Sequence, residues 1–379
     1  MVDYADESLE LHKQHRGKIH IELNDQQQSI DKLKLYYTPG VAAVSLKVSQ
    51  EPDKLRDYTW TNNTVAVISD GSAVLGLGDI GPEGAMPVME GKCLLFKQFA
   101  GINAVPIILD VHTEEDIIKT IKAIAKSFGG INLEDIAAPK CFTIERKLAE
   151  ELPIPVFHDD QHGTAIVTLA GLINSLKLTG KNLNECNVTL VGAGAAGVAI
   201  AKLLKLYAPK VNIVAVDSKG ILSSTRNDLN DSKRQLLAFT NDHNKSGSLS
   251  EAVAGADIFI GVSSPDLLSP QMVKAMGTKP IIFAMANPDP EIKPNSAKKA
   301  GAYIVATGRS DYPNQINNAL VFPGVFRGAL DNHVRQITDQ HKIKAAEALA
   351  AMVKQPTAER IIPSIWDKQL AQKIAEVIR

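Results

Sequence analysis

The run Asn187-Val188-Thr189-Leu190-Val191, the string Gly192-Ala193-Gly194-Ala195-Ala196-Gly197 and the helically spaced apolar stretch from Val198 to Ala208 follow one another without a break. That order leaves little freedom of fold: a buried strand turns through glycines straight into a helix, which is how a Rossmann βαβ unit opens. Each glycine has its own task. Gly192 permits the tight turn, Gly194 lets the backbone approach a pyrophosphate, and Gly197 lets helix and strand pack closely, with the pyrophosphate on the helix N-terminus. A second strand, Val211 to Val216, ends at Asp217, 20 residues past Gly197, where a ribose-binding acid belongs.

The same pattern recurs at Gly76-Leu77-Gly78-Asp79-Ile80-Gly81. It is rejected as a cofactor loop because Pro82 and Gly84 follow where a helix should run and Asp79 would set a negative charge against a pyrophosphate. A structural or substrate-side turn is expected there. Ahead of the fingerprint stand two acidic pairs, Glu134-Asp135 and Asp159-Asp160, 25 residues apart. Clustered carboxylates repel one another unless a cation compensates them, and a hard divalent ion such as Mg²⁺ or Mn²⁺ is the usual one. Metal and dinucleotide together point to an enzyme.

At 379 residues and 45% hydrophobic content the chain can bury a large core and form two or three domains. Lys+Arg 41 against Asp+Glu 42 leaves a net charge of −1, which argues against a nucleic-acid partner. Cys93, Cys141 and Cys186 are far apart and form no CxxC, so core thiols in a reducing compartment are expected rather than disulfides or zinc. The polar first residues lack an apolar signal region, and no apolar stretch approaches the roughly 18 residues of a membrane helix. A cytoplasmic location is expected.

Before residue 160 strand and helix signals alternate. Val65–Ser69 and Val105–Asp110 read as strands; Thr113 caps a helix that runs to Gly129, and another helix spans Thr143 to Glu151. Gly163 to Leu176 reads as a long buried helix. Residues 258–262, 281–286 and 303–307 read as further parallel strands, the first two ending in Ser263-Ser264-Pro265 and Asn287-Pro288-Asp289-Pro290 at the nicotinamide edge. Helices Ala329 to Lys354 and Lys368 to Ile378 close the chain. The fold class is therefore α/β, with an N-terminal substrate and metal domain over 1–160 and a doubly wound Rossmann-type domain over 161–379 that includes the C-terminal helices. Asp159 and Asp160 fall at the cleft between them.

The strings YYTPGVA (36–42), LGLGDIGPEGAMPVMEGK (75–92), INLEDI (131–136), FHDDQHGTA (157–165), GAGAAG and QINNALVFPGVFRGAL (315–330) together closely resemble the malic enzymes in their short bacterial form. The resemblance implies oxidative decarboxylation of L-malate to pyruvate and CO₂ with reduction of NAD or NADP, dependent on Mg²⁺ or Mn²⁺, in a homodimer or larger homo-oligomer. It implies Glu134, Asp135 and Asp160 as metal ligands, Lys92 as general base, Tyr37 as general acid and Asp159 beside Lys92. Asn287 and Asn318 would lie near substrate and nicotinamide, and the backbone from Ala193 to Ala196 would meet the pyrophosphate. One departure is Ala73, which stands where larger relatives carry an arginine for the substrate carboxylate. That carboxylate must be met by asparagine amides, the metal or another basic group.

The chemistry of these residue types fits. Lys92 can take the C2 hydroxyl proton of malate if metal and burial lower its pKa, and Tyr37 can protonate C3 of enolpyruvate. Without the surrounding motifs, Lys92 would read as a solvated side chain and Tyr37 as a packed turn aromatic. His158 and His162 match no zinc spacing. Two other readings stay open: an oxaloacetate decarboxylase without net redox, and a catalytically inactive nucleotide-binding regulator. NAD is expected over NADP, since Asp217 would repel a 2′-phosphate in a poorly screened pocket, although the adjacent Ser218-Lys219 resembles a loop of NADP-using relatives.

Overall fold

The computed structural model describes residues 4–15, 17–25, 29–74 and 76–379. Leu75 of the 75–92 string lies outside them. The chain opens with α1 (Tyr4–His15), α2 (Ile30–Tyr36), α3 (Val41–Gln50) and the short α4 (Leu55–Tyr58), none of which contains a buried residue. These helices lacked a sequence signal because they present no continuous apolar stripe to a core of this chain.

A four-stranded parallel sheet follows, built from β1 (Thr64–Ser69), β2 (Asn103–Ile108), β3 (Gly130–Leu133) and β4 (Val156–His158) in the order β2-β1-β3-β4. The crossovers are α5 (Gly81–Ala100), α6 (Glu114–Ile124) and α7 (Lys140–Glu151). β1 is buried along its whole length, as a parallel strand covered on both faces must be. α6 begins where its cap predicts, with the Thr113 side chain accepting from Asp116 N. α5 corrects the expectation that Pro82 and Gly84 bar a helix. Pro82 sits in its first turn, where proline's missing N–H costs nothing, and the helix runs on for 20 residues.

α8 (Asp159–Thr179) leaves β4 directly and carries the chain to the second sheet. It starts four residues before the expected Gly163, because Asp159 and Asp160 occupy its first turn and complement the helix dipole. The second sheet joins β5 (Asn187–Val191), β6 (Asn212–Asp217), β7 (Gly220–Ile221), β8 (Ile258–Gly261), β9 (Ile281–Ala284) and β10 (Ile304–Thr307) in the order β10-β9-β8-β5-β6-β7. All its pairings are parallel except that of β7, an antiparallel edge too short to show in the sequence.

Around it lie α9 (Ala195–Tyr207), α10 (Asp231–Leu237), α11 (Leu249–Val253), α12 (Pro270–Ala275) and α13 (Pro294–Lys299), then α14 (Phe322–Asp331), α15 (Asp339–Ala351) and α16 (Leu370–Ala375). The single helix expected over 329–354 is two. His333 takes a positive φ of 52° after α14, and Thr338 restarts the chain as the cap of α15. The three cysteines are buried and free. No helix among the described residues is long and apolar enough to cross a membrane.

One apolar core spans both sheets. At its centre Phe96 of α5 meets Phe322 and Phe326 of α14 edge-on, with ring centroids 4.7 and 5.3 Å apart, and Phe157 of β4 packs 5.9 Å from Phe326. This aromatic cluster locks α5, and with it Lys92, against the strand that delivers Asp159 and Asp160.

Candidate active site

The acidic pairs are separated in sequence but adjacent in the sheet. Leu133 pairs with His158 across β3 and β4, so the residues that leave those two strand ends, Glu134-Asp135 and Asp159-Asp160, emerge side by side. Asp135 holds a positive φ of 52°, an uncommon conformation for a residue with a side chain, and its N–H donates to Asp160 Oδ2 at 2.8 Å. Glu134, Asp135 and Asp160 each offer one oxygen within a common sphere of 4.8 Å. Such a set of hard oxygen donors fits Mg²⁺ or Mn²⁺ and leaves room for further ligands.

Lys92 reaches into this cluster from α5. Its Nζ lies 2.5 Å from Asp159 Oδ2, 3.0 Å from Glu134 Oε1 and 3.3 Å from Asn318 Oδ1. One ammonium thus faces the carboxylates of Asp159, Glu134 and Asp160. Burial pushes Glu134 and Asp159 up to about 7 against the pull of Lys92, and raises Asp160 as well. For Lys92, burial favours the neutral amine, but Asp159, Glu134 and Asp160 outweigh it and hold the pKa above its ordinary value. The expected lowering is therefore not a property of the chain alone. Of the carboxylates that keep Lys92 protonated, Glu134 and Asp160 are ones that would take a cation, while Asp159 stays with the amine.

These groups border a cleft of about 830 Å³ between the carboxyl edges of the two sheets. Across it stand Gly194, Ala195 and Ala196 at the start of α9, Ser263 after β8, and Ala286 and Asn287 after β9, with Asn318 and Ala73 on its walls. The glycine loop is shaped as its spacing implied. A Cβ on Gly197 would meet Gly192 O at 1.8 Å, and one on Gly192 would meet Val262 O at 2.7 Å, whereas one on Gly194 would meet nothing within 4 Å. The open side at Gly194 is where a pyrophosphate can come against backbone N–H groups. Gly76 of the rejected second pattern borders the same cleft, and a Cβ there would strike Asn287 O at 2.1 Å.

At the far end of β6, Asp217 is not the poorly screened charge the sequence suggested. Arg226 binds it through both guanidinium nitrogens, at 2.7 and 3.1 Å, and Lys233 Nζ lies 2.6 Å from Oδ2. Burial would raise its pKa, but Arg226 and Lys233 hold it at about 2. Lys219 turns instead to Asp228 at 2.9 Å. Arg226 and Lys233 belong to no motif, so nothing in the sequence singled them out.

Tyr37, the expected acid, is not brought to the cleft by a single chain. It ends α2, is 67% exposed and is absent from the cleft walls. The helix that carries it buries nothing against the rest of the chain. His158 and His162 also part company: His158 is buried behind the acids, whereas His162 turns to Glu145, 2.8 Å away. Glu145 further accepts from His158 N and Gln161 Nε2, at 3.0 and 3.2 Å, and so fastens the first turn of α8 from behind.

Two family models match the chain, one described as malic enzyme, N-terminal domain, over residues 14–149, and one as malic enzyme, NAD binding domain, over residues 161–379. The chain is 50% identical over 380 residues to a bifunctional malic/malolactic enzyme of Bacillus subtilis, with 100% of this chain and 92% of that protein covered. It is equally identical to an NAD-dependent malic enzyme of Geobacillus stearothermophilus, covering 79% of it, and 46% identical to an NADP-dependent malic enzyme of Halomonas elongata over 93% of this chain and 83% of that protein. Among solved structures, an NAD-dependent malic enzyme from Thermotoga maritima superposes with a TM-score of 0.95 at 50% identity, covering 100% of this chain and 99% of that one.

Proposed function

The chain belongs to the malic enzyme family, and from that premise we propose that its cleft oxidises L-malate with NAD or NADP and decarboxylates the product to pyruvate and CO₂. The observation that carries the reading is the joining of a three-carboxylate cluster, a buried lysine and an open-sided dinucleotide loop around one cleft. A divalent ion held by Glu134, Asp135 and Asp160 would supply Lewis-acid polarisation of the substrate oxygens, and a nicotinamide the hydride acceptor.

Lys92 takes the proton from the C2 hydroxyl. Asp159, fully buried and hydrogen-bonded to Lys92, fixes the amine's direction and receives the positive charge that the proton brings. Asn318 steers the same amine, and Asn287 meets the nicotinamide end of the cleft. Tyr37 returns a proton to C3 after CO₂ leaves. NAD is the preferred cofactor, as in the Geobacillus relative, with Asp217 taking the ribose hydroxyls.

The chain works as a homodimer or larger homo-oligomer in the cytoplasm, with residue 160 as its domain boundary. α1, α2 and α3 bury nothing, yet Leu9, Leu11, Ile30, Leu33, Leu35 and Leu46 are exposed on them, a surface suited to a second copy. Tyr37 lies on this same arm, so its approach to a cleft depends on how the arm is packed. Free buried thiols suit a reducing compartment. Purified protein with L-malate, Mn²⁺ and NAD is expected to give NADH and pyruvate in equal amounts. Stoichiometric release of oxaloacetate instead would mark a plain dehydrogenase.

A further inference from the structure

A dianionic substrate entering this cleft meets the carboxylates of Glu134, Asp135 and Asp160, and Lys92 is already paired with Glu134 and the buried Asp159. Ala73 contributes no charge from the loop after β1. Among the described residues that line the cleft, a single basic side chain besides Lys92 remains, that of Lys18. We propose that Lys18 binds a carboxylate of L-malate, an assignment that rests on the malate reading above.

The position of Lys18 is built rather than incidental. Its backbone N–H donates to Glu90 Oε2 at 3.2 Å, and Gly17 beside it holds φ 117°, a conformation that residues with a side chain rarely adopt. The segment is thereby pinned to α5. The ammonium donates to Pro87 O at 2.8 Å and has no carboxylate within salt-bridge distance among the described residues. A backbone carbonyl satisfies one of its three donors, and Glu90 acts on the charge only from beyond salt-bridge distance.

Pro87 and Lys92 are separated by about 7.5 Å of helix axis. Between them Gly91 lines the cleft with no side chain, and a Cβ added there would meet nothing within 4 Å. Both amines therefore line the cleft that this open stretch of helix borders. Burial lowers the Lys18 pKa, opposed by Glu90, which marks a partly dry setting where an ion pair with substrate is strengthened.

Full-length Lys18→Met, which keeps the aliphatic stem, is to be assayed with Mn²⁺ and NAD beside Lys18→Arg and the unmodified protein. The malate KM is expected to rise about 10- to 100-fold in Lys18→Met, the range of one charge-assisted hydrogen bond, and to return to within a few-fold in Lys18→Arg. The NAD KM and the Mn²⁺ midpoint should hold within about twofold, which a loosened fold would not allow. An unchanged malate KM in Lys18→Met overturns the assignment, as does a parallel loss of malate, NAD and Mn²⁺ binding. If that variant does not fold, malate with Mn²⁺ should slow acetylation of Lys18 in the unmodified protein, read by mass spectrometry; no protection overturns the proposal. Absence of malate turnover in the unmodified protein would instead strike the malate reading itself.

Discussion

Lys92 Nζ lies 2.5 Å from Asp159 Oδ2, with the acid fully buried and the amine open to the cleft. Asp159 Oδ1 is buried without a hydrogen-bond partner, which leaves Lys92 as the acid's side-chain partner among the described residues, so the pair acts as a unit. Lys92→Ala is expected to lower malate oxidation by about 10²- to 10⁴-fold, the usual loss for a general base. NAD binding, read by fluorescence quenching, should be retained, because the glycine loop lies across the cleft. A variant that kept more than a tenth of the activity would remove Lys92 as the base.

Glu134, Asp135 and Asp160 give the metal question a readout independent of turnover. Carboxylates gathered within 4.8 Å raise one another's proton affinity, and a bound divalent ion relieves that strain. Saturating Mn²⁺ should therefore raise the unfolding free energy, and with it the midpoint, by an amount set by ligand excess, about 2.7 kcal/mol at one hundred times Kd. Asp160→Asn should lose most of that shift while keeping its NAD-induced shift. Equal Mn²⁺ stabilisation in both proteins would place the ion elsewhere.

Glu145 links acid stability to the same helix turn. Burial pushes its carboxyl up, but His162 and its hydrogen bond more than reverse this and hold it at about 2, below the ordinary 4.5. A depressed carboxyl contributes stability that is fully present above its unfolded value and is lost as pH falls from about 4.5 towards about 2. Glu145→Gln should lower the unfolding free energy at pH 7 by on the order of 1–3 kcal/mol and flatten its decline across that acid window. A decline as steep as in the unmodified protein would assign the acid sensitivity to other groups.

Much of this architecture was legible because local chemistry and tertiary demand agree there. The strand at 187–191, the cap at Thr113 and the glycine loop are each fixed by residues within a few positions of one another. The acids too could be found in sequence, yet their adjacency comes from the β3–β4 register, a long-range fact. Lys18, Glu145, Arg226 and Lys233 carried no signal at all. Each is an ordinary charged residue until the fold sets it against a helix or a carboxylate. The Pro82 misreading had a different origin, since a residue that breaks helices inside them is welcome at their first turn.

Cofactor choice turns on Asp217, and its surroundings make the preference narrow. In isolation its charge would repel a 2′-phosphate, which carries up to two negative charges, and would favour the ribose hydroxyls of NAD. Arg226 and Lys233 compensate it at 2.7 and 2.6 Å, so a phosphate must compete with the carboxylate for cations that are already present. While Asp217 holds them, NAD should show the higher kcat/KM. Asp217→Asn removes the competing charge without changing shape, frees Lys233 and leaves Arg226 held by Asp228 at 2.8 Å, so the NADP-to-NAD ratio of kcat/KM should rise about tenfold or more, as expected for a new charge-assisted contact. Adding Lys233→Gln should take back most of that gain. Lys219→Ala should leave NAD turnover nearly unchanged, because Lys219 pairs with Asp228 rather than facing Asp217. A higher kcat/KM for NADP in the unmodified protein would show that the cations outweigh the carboxylate, and an unmoved ratio in Asp217→Asn would take cofactor choice away from this cluster.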